Sequence, residues 1–393
     1  MKIRSIISGL CLMLLAASCS MEDDVLNEVG KAVIEETDRY AEFDLSLLGG
    51  TLMTKATETE VPDEKNTTEN VVNSCYIAAF LGDKNDLTSE SKIIASAFYS
   101  TYQKDAINST KDPCVYTLGN HMILKVPVKS VDAANKPKVT FVAIANILAD
   151  GNQTKNDLEG FMANCKTYGD ILNQRITKTD PNIFVKVGSA TISDYKVREK
   201  VLEECTKDNC TEVDIPVFQL SAAILLEEFK VRIQTGTDQG GPVYEEVSNA
   251  EVKSVSLLNA VTSTYVGKAD PEMTLRSVGP ISVGDENSFH PDYITVTPKP
   301  TYKAINDIRF YTYANKSTDV DKQTALQVVY TVNGVESTST FKIKKDGVTD
   351  VGVQSGNIYK LYVTITNSVA TLKLVVTDWK HNRVEQTMEE VFN

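Results

Sequence analysis

Cys19 carries the clearest chemistry in the sequence. It follows Ala16-Ala17-Ser18 at the end of an apolar run from Ile6 to Ala17, behind the basic residues Lys2 and Arg4. A basic start, a short apolar stretch and small residues before a cysteine form a lipobox. The expected events are thioether lipidation of the Cys19 thiol and cleavage between Ser18 and Cys19, giving a chain anchored to the outer membrane through lipid. The alternative is an ordinary secretory leader with an incidental cysteine. The apolar run is shorter than the roughly 20 residues of a membrane span, and no later run resembles it.

The other reactive residue types are scattered. Cys75, Cys114, Cys165, Cys205 and Cys210 are an odd number of thiols on an export route that permits disulfides. Only Cys205 and Cys210 are close in sequence, with Thr-Lys-Asp-Asn between them, and they could close a turn. Cys165 and Cys205 fall on apolar helical faces, where cysteine serves as a small hydrophobe. No second Cys or His pair stands at zinc-ligand spacing, and His121, His290 and His381 are isolated. Glu203-Glu204 and Glu227-Glu228 read as solvated faces rather than acid–base dyads. Asp83-Lys84-Asn85-Asp86 has the beginning of a calcium loop but lacks its glycine at the sixth position and its glutamate at the twelfth. No nucleophile elbow, His-Glu-x-x-His or phosphate-binding loop is present. The single tryptophan, Trp379, stands in an apolar strand and reads as core. No enzyme, cofactor or metal is therefore expected. The formal charge of −13, more negative by two once Lys2 and Arg4 leave, argues against a nucleic-acid partner.

The elements behind these residues are mostly strands. Residues 41 to 47 alternate, with Ala41, Phe43, Leu45 and Leu47 on one face and Glu42, Asp44 and Ser46 on the other, the period of a half-buried strand. Gly49-Gly50 ends it. Further strands are expected at 72–81, 115–128 and 138–147, the last apolar on both faces and therefore central. Leu158, Phe161, Met162, Cys165, Tyr168, Ile171 and Leu172 recur at helical spacing. Val197, Val201, Leu202 and Cys205 repeat that spacing behind Ser193 or Asp194 as a cap. Pro216 to Ile233 reads as the strand region opening a second domain, with a helix as its alternative. Strands follow near 251–258, 307–314, 324–333, 338–344, 357–367 and 370–379, a spacing that suggests a sandwich.

Four segments in order resemble the fimbrillins, the type V pilins of Gram-negative oral and gut bacteria. They are the lipobox followed by Ala41–Leu47 and Thr54-Lys55-Ala56; Val139 to Asn146, ending in Ala-Asn; Leu220 to Ile233; and the pair Asn357–Ile365 and Leu372–Trp379, with its Val-Thr-Asp-Trp ending. The acidic Ser20-Met21-Glu22-Asp23-Asp24 resembles a surface-export tag, or is a solvated tether. The resemblance implies a mainly β fold of two stacked, transthyretin-like Greek-key β-sandwiches with a few short helices. It divides the chain into a leader (1–18), an acidic tether (19–40), a first strand removed on maturation (41–55), two domains (56–215 and 216–379) and a tail (380–393).

It also implies a structural subunit for adhesion and biofilm formation. A trypsin-like surface protease removes the first strand, and an extended C-terminal segment of the next subunit replaces it, so that identical or related subunits join head to tail. The residues accommodate that scheme. Cleavage between Lys55 and Ala56 would release a strand whose inward side chains bury about 6–10 kcal/mol of transfer energy. The family more often has arginine there, and a cut after Arg39 would free the anchor while leaving the strand in place. In the tail, Val384, Met388 and Phe392 fall on one extended face with Gln386 and Glu390, which makes it the candidate donor; Glu385, Glu389 and Glu390 also allow a frayed helix or a disordered tail. Tip or anchor subunits of the same pilus, and a surface glycan-binding lipoprotein, are the alternatives.

Overall fold

A buried strand identifies the middle of the first sheet. The computed structural model describes residues 40–48, 51–52, 71–72, 74–100, 107–108, 117–118, 121–128, 136–148, 155–177, 184–198, 210–268, 271, 273–283, 305, 308–343, 352–366 and 369–378. In the first half the strands are β1 (Tyr40–Leu48), β2 (Thr51–Leu52), β3 (Val71–Val72), β4 (Ser74–Leu81), β5 (Ala95–Ser100), β6 (Ile107–Asn108), β7 (Thr117–Leu118), β8 (His121–Pro127), β9 (Val139–Ala145), β10 (Arg175–Ile176), β11 (Lys186–Ile192) and β12 (Thr211–Gln219). Nine of them form one sheet in the order β6-β5-β4-β9-β11-β12-β1-β8-β7. Every residue of β9 is buried, as expected of a strand apolar on both faces. The sheet curls around a single core that takes Ala95 and Ala97 from β5, Leu124 and Val126 from β8, Phe141 from β9 and Ile215 from β12.

Two helices, α1 (Lys155–Asn164) and α2 (Tyr168–Leu172), lie where the helical spacing placed them. Thr167 caps α2: its hydroxyl accepts from the Asp170 N–H at 3.2 Å, and the Asp170 carboxylate accepts from the Thr167 N–H at 2.8 Å. Leu158, Met162, Cys165 and Ile171 cover the outer face of β4 and β9 together with Val261, Val266 and Tyr313 from later in the chain.

The second half contains β13 (Ser221–Asp238), β14 (Gly241–Glu246), β15 (Ala250–Val261), β16 (Thr264–Tyr265), β17 (Leu275–Ser282), β18 (Arg309–Tyr313), β19 (Ala325–Val332), β20 (Val335–Lys342), β21 (Asn357–Thr366) and β22 (Val369–Asp378). One sheet runs β14-β13-β21-β22 with β18 also on β13, and the other runs β17-β15-β19-β20. They enclose a second core of Ile224, Leu257, Phe310, Leu326, Tyr359 and Leu361, among others. β19 turns into β20 through Asn333-Gly334, both at positive φ (50° and 77°), the two-residue turn that matches strand twist. The chain is thus mainly β, with sandwich packing and short helices, and Arg39–Asn393 forms one compact unit.

Two expectations need correction. Pro216–Ile233 is not one strand region: Pro216–Gln219 close β12 in the first sheet, and the sheet changes at Leu220. No helix starts behind Ser193 or Asp194, because Ser193–Val197 carry no helical hydrogen bonds and Arg198 bridges to Tyr40. Val197 packs on the first core, and Val201, Leu202 and Cys205 lie outside the described residues. Asp83 caps a 3-10 turn at Lys84–Asp86, accepting from the Asn85 N–H and pairing with Lys138 at 2.8 Å, so its carboxylate serves a turn.

Candidate functional site

β1 lies inside the first sheet. It runs parallel to β12, from Phe43↔Thr211 to Leu48↔Pro216, and antiparallel to β8, from Tyr40↔Pro127 to Leu45↔Met122. Both of its edges are thus hydrogen-bonded to neighbours. The start is pinned a third time, where Tyr40 and Arg198 exchange N–H···O bonds of 2.8 Å.

The alternation read in the sequence places the side chains as expected. Ala41, Phe43 and Leu45 are buried in the first core, and Leu47 packs against it partly buried. Phe43 fills the most defined pocket: its ring meets Phe141 edge-on at 4.8 Å and lies 5.5 Å from the ring of Tyr195. Tyr195 is locked in turn, its hydroxyl donating to the Pro137 carbonyl, and burial pushes its phenol up to about 12. Sequence spacing gives no sign of Phe141 and Tyr195 as pocket walls, because they reach Phe43 only across the folded sheet.

The other face of β1 differs from the solvated face expected. Glu42 is only 5% exposed and stands opposite Lys125 of β8, itself 6% exposed. The Lys125 ammonium lies 3.8 Å from the centre of the Tyr40 ring. Ile123 and the disulfide-bonded Cys210 pack together, buried, beside this row. Further along, the Ser46 hydroxyl donates to Asp214. No periodicity announces this cover, since Cys210 is brought in by the tertiary fold.

Ser18, Cys19, Lys55, Ala56, Val384, Met388 and Phe392 lie outside the described residues, as do Cys114, Cys205, His290, Trp379 and His381. Of the thiols, Cys75 and Cys165 are free and buried; Cys165 sits in the helix-covered core as a small hydrophobe, with its thiol pushed up to about 11 by burial. The shifted groups are dispersed. Burial in the helix-covered core raises Tyr76 and Tyr313, while Asp83 is lowered first by its hydrogen bond from Lys138 and Asp170 and Asp319 chiefly by cap and turn N–H groups. Among the described residues no three His, Cys, Asp or Glu side chains are placed to hold a metal ion.

The architecture defines a class: a β-sandwich protein whose first strand lies between two ladders within a curled sheet. Among solved structures the chain resembles a candidate cell-adhesion protein from Parabacteroides distasonis, with 13% identity, a TM-score of 0.50 and coverage of 88% of this chain and 98% of that one. It is also similar to a fimbrial assembly protein from the same organism (17% identity, 86% and 98% coverage, TM-score 0.43). A fimbrilin from Porphyromonas gingivalis is a further match (11% identity, 88% and 99% coverage, TM-score 0.46). The resemblance read in the sequence is therefore met at the level of fold. No family model and no curated sequence matches the chain.

Proposed function

We propose that the chain is a structural subunit of a surface fimbrium, exported as a lipoprotein through Cys19 and polymerised by strand replacement. A trypsin-like protease at the cell surface cuts between Lys55 and Ala56 and frees β1. The tail of a neighbouring subunit, with Val384, Met388 and Phe392 on one face, then takes its place and joins subunits head to tail into an adhesive, biofilm-supporting fibre. The two sandwiches serve as the two domains of that subunit, without catalysis or cofactor.

The observation that carries this reading is the position of β1, flanked by β12 and β8 with Phe43 in an aromatic pocket. Its departure uncovers two rows of backbone donors and acceptors and an apolar trough, both of which an incoming strand restores. The likeness in fold to a candidate cell-adhesion protein is in keeping with this reading. The test is N-terminal sequencing of protein sheared from cells, with polymer ladders as a second readout. A start at Ala56, and loss of ladders on deleting Arg383–Asn393, are expected. A lipid-blocked Cys19 in sheared fibres, or ladders that survive the deletion, would overturn the reading.

A further inference from the structure

Lys125 is a buried ammonium whose neighbours across the β1–β8 ladder come from the strand that the proposed function removes. Glu42 stands directly opposite it, and the Tyr40 ring lies on the diagonal, 3.8 Å from its charge. The face is closed, with Lys125 6% and Glu42 5% exposed beside the Ile123–Cys210 contact. With β1 gone, water solvates Lys125. When another strand enters, Lys125 is buried again, and an ammonium buried without a countercharge is strongly penalised.

We propose that Lys125 selects the incoming strand by requiring a carboxylate beside an apolar anchor, the relation Glu42 has to Phe43. This rests on the strand-replacement reading and adds to it a chemical criterion for the occupant. The occupant that fits is the acidic tail Arg383–Asn393 of a second copy, whose pairs Val384-Glu385 and Met388-Glu389 have the reverse chain order and so match Glu42-Phe43 in a strand that enters in the direction opposite to β1. Apolar matching alone accepts any alternating strand; the buried charge rejects those with an amide, an apolar residue or a cation at that place, so discrimination comes from an unfavourable wrong pairing.

The test uses the full chain with a protease site introduced within residues 56–70, cut after folding. Labelled peptides then compete for the position of β1: Tyr40–Leu48, its Glu42→Gln variant, Arg383–Asn393, and that tail with Glu385→Gln and Glu389→Gln. Each glutamine peptide is expected to bind at least about tenfold more weakly than its parent, the scale of one hydrogen bond to a buried charge. Lys125→Gln in the protein should abolish the difference. Equal binding of parent and glutamine peptides, or a preference that survives Lys125→Gln, overturns the selecting role while leaving strand replacement standing. Entry of the β1 peptide but not the tail overturns the tail as occupant. Entry of no peptide overturns strand replacement itself, and selection with it. The peptide comparison needs no change at Lys125, so it decides even where that variant fails to fold.

Discussion

β1 and β21 both lie inside a sheet beside a parallel neighbour, yet they are held in opposite ways. β1 follows β12 over six residue pairs, and β21 follows β13 from Ala223↔Ile358 to Arg232↔Thr366. Both turn apolar side chains into a core, Phe43 and Leu45 in one case, Tyr359, Leu361, Val363 and Ile365 in the other. β21 is tied at both ends, by the connection from β20 and by an immediate return into β22, with which it forms ten residue pairs. β1 is followed by the two-residue β2 and then by residues 53–70 before β3, so a single cut within 53–70 separates β1, with β2, from every later strand. Burial is thus similar in the two, and connectivity decides which strand one cut can separate from the rest.

The largest expected effect tests that difference. Phe43→Ala and Leu361→Ala should each cost about 2–5 kcal/mol in equilibrium unfolding of the intact chain, as large-to-small changes at buried sites do. After a cut within 56–70 the two should part: Phe43→Ala releases the β1 fragment on size-exclusion chromatography, whereas Leu361→Ala retains every strand. Retention of β1 in both would remove the contrast.

A smaller effect probes the wall of the β1 position rather than its occupant. A Cβ at Gly188 would lie 1.9 Å from the Pro216 carbonyl oxygen, forcing β11 and β12 apart; at Gly352 it would lie 2.1 Å from that of Asn315, in the second half. Each alanine variant should lose about 1–3 kcal/mol or more. Only Gly188→Ala should also weaken rebinding of a β1 peptide to the cut chain.

The smallest effect lies away from both parallel pairs. Thr167→Ala should cost about 1 kcal/mol through loss of the α2 cap. The Lys166 and Thr167 N–H groups hold the Asp170 carboxyl below its ordinary 3.8. Its contribution is therefore complete above that value and is lost as pH falls through the lower, folded value. The acid limb of a stability–pH curve should be shallower in Asp170→Asn, and an unchanged limb would show that this cap does not contribute to it.

The elements that sequence made legible are those whose burial follows one period. β1 shows an alternating inner face, β9 is apolar throughout, and α1 and α2 keep helical spacing up to Cys165 and Ile171. β11 was missed because Lys-Val-Gly-Ser-Ala-Thr-Ile has no contrast between faces; it is placed by neighbours on both sides and by the close approach that Gly188 permits. The junction at Leu220 was hidden because β12 and β13 are nearly continuous, and the Ala-Ala-Ile-Leu-Leu run hides a change of sheet. At the candidate site the apolar half was readable from Ala41, Phe43, Leu45 and Leu47. The polar half was not, because the partners beside Glu42, namely Lys125, Ile123 and Cys210, are brought to it only by the folded sheet.

Leu220 is the only residue between β12 and β13, and its N–H donates to the Val185 carbonyl at 3.0 Å. A single run from Thr211 to Asp238 therefore acts as a tension member shared by both sandwiches, with β1 alongside its first part and β21 alongside its second. A lengthwise pull on that run loads the flanking ladders in shear, so that many hydrogen bonds resist together instead of unzipping one after another. Stress entering either sandwich is carried to the other with almost no slack.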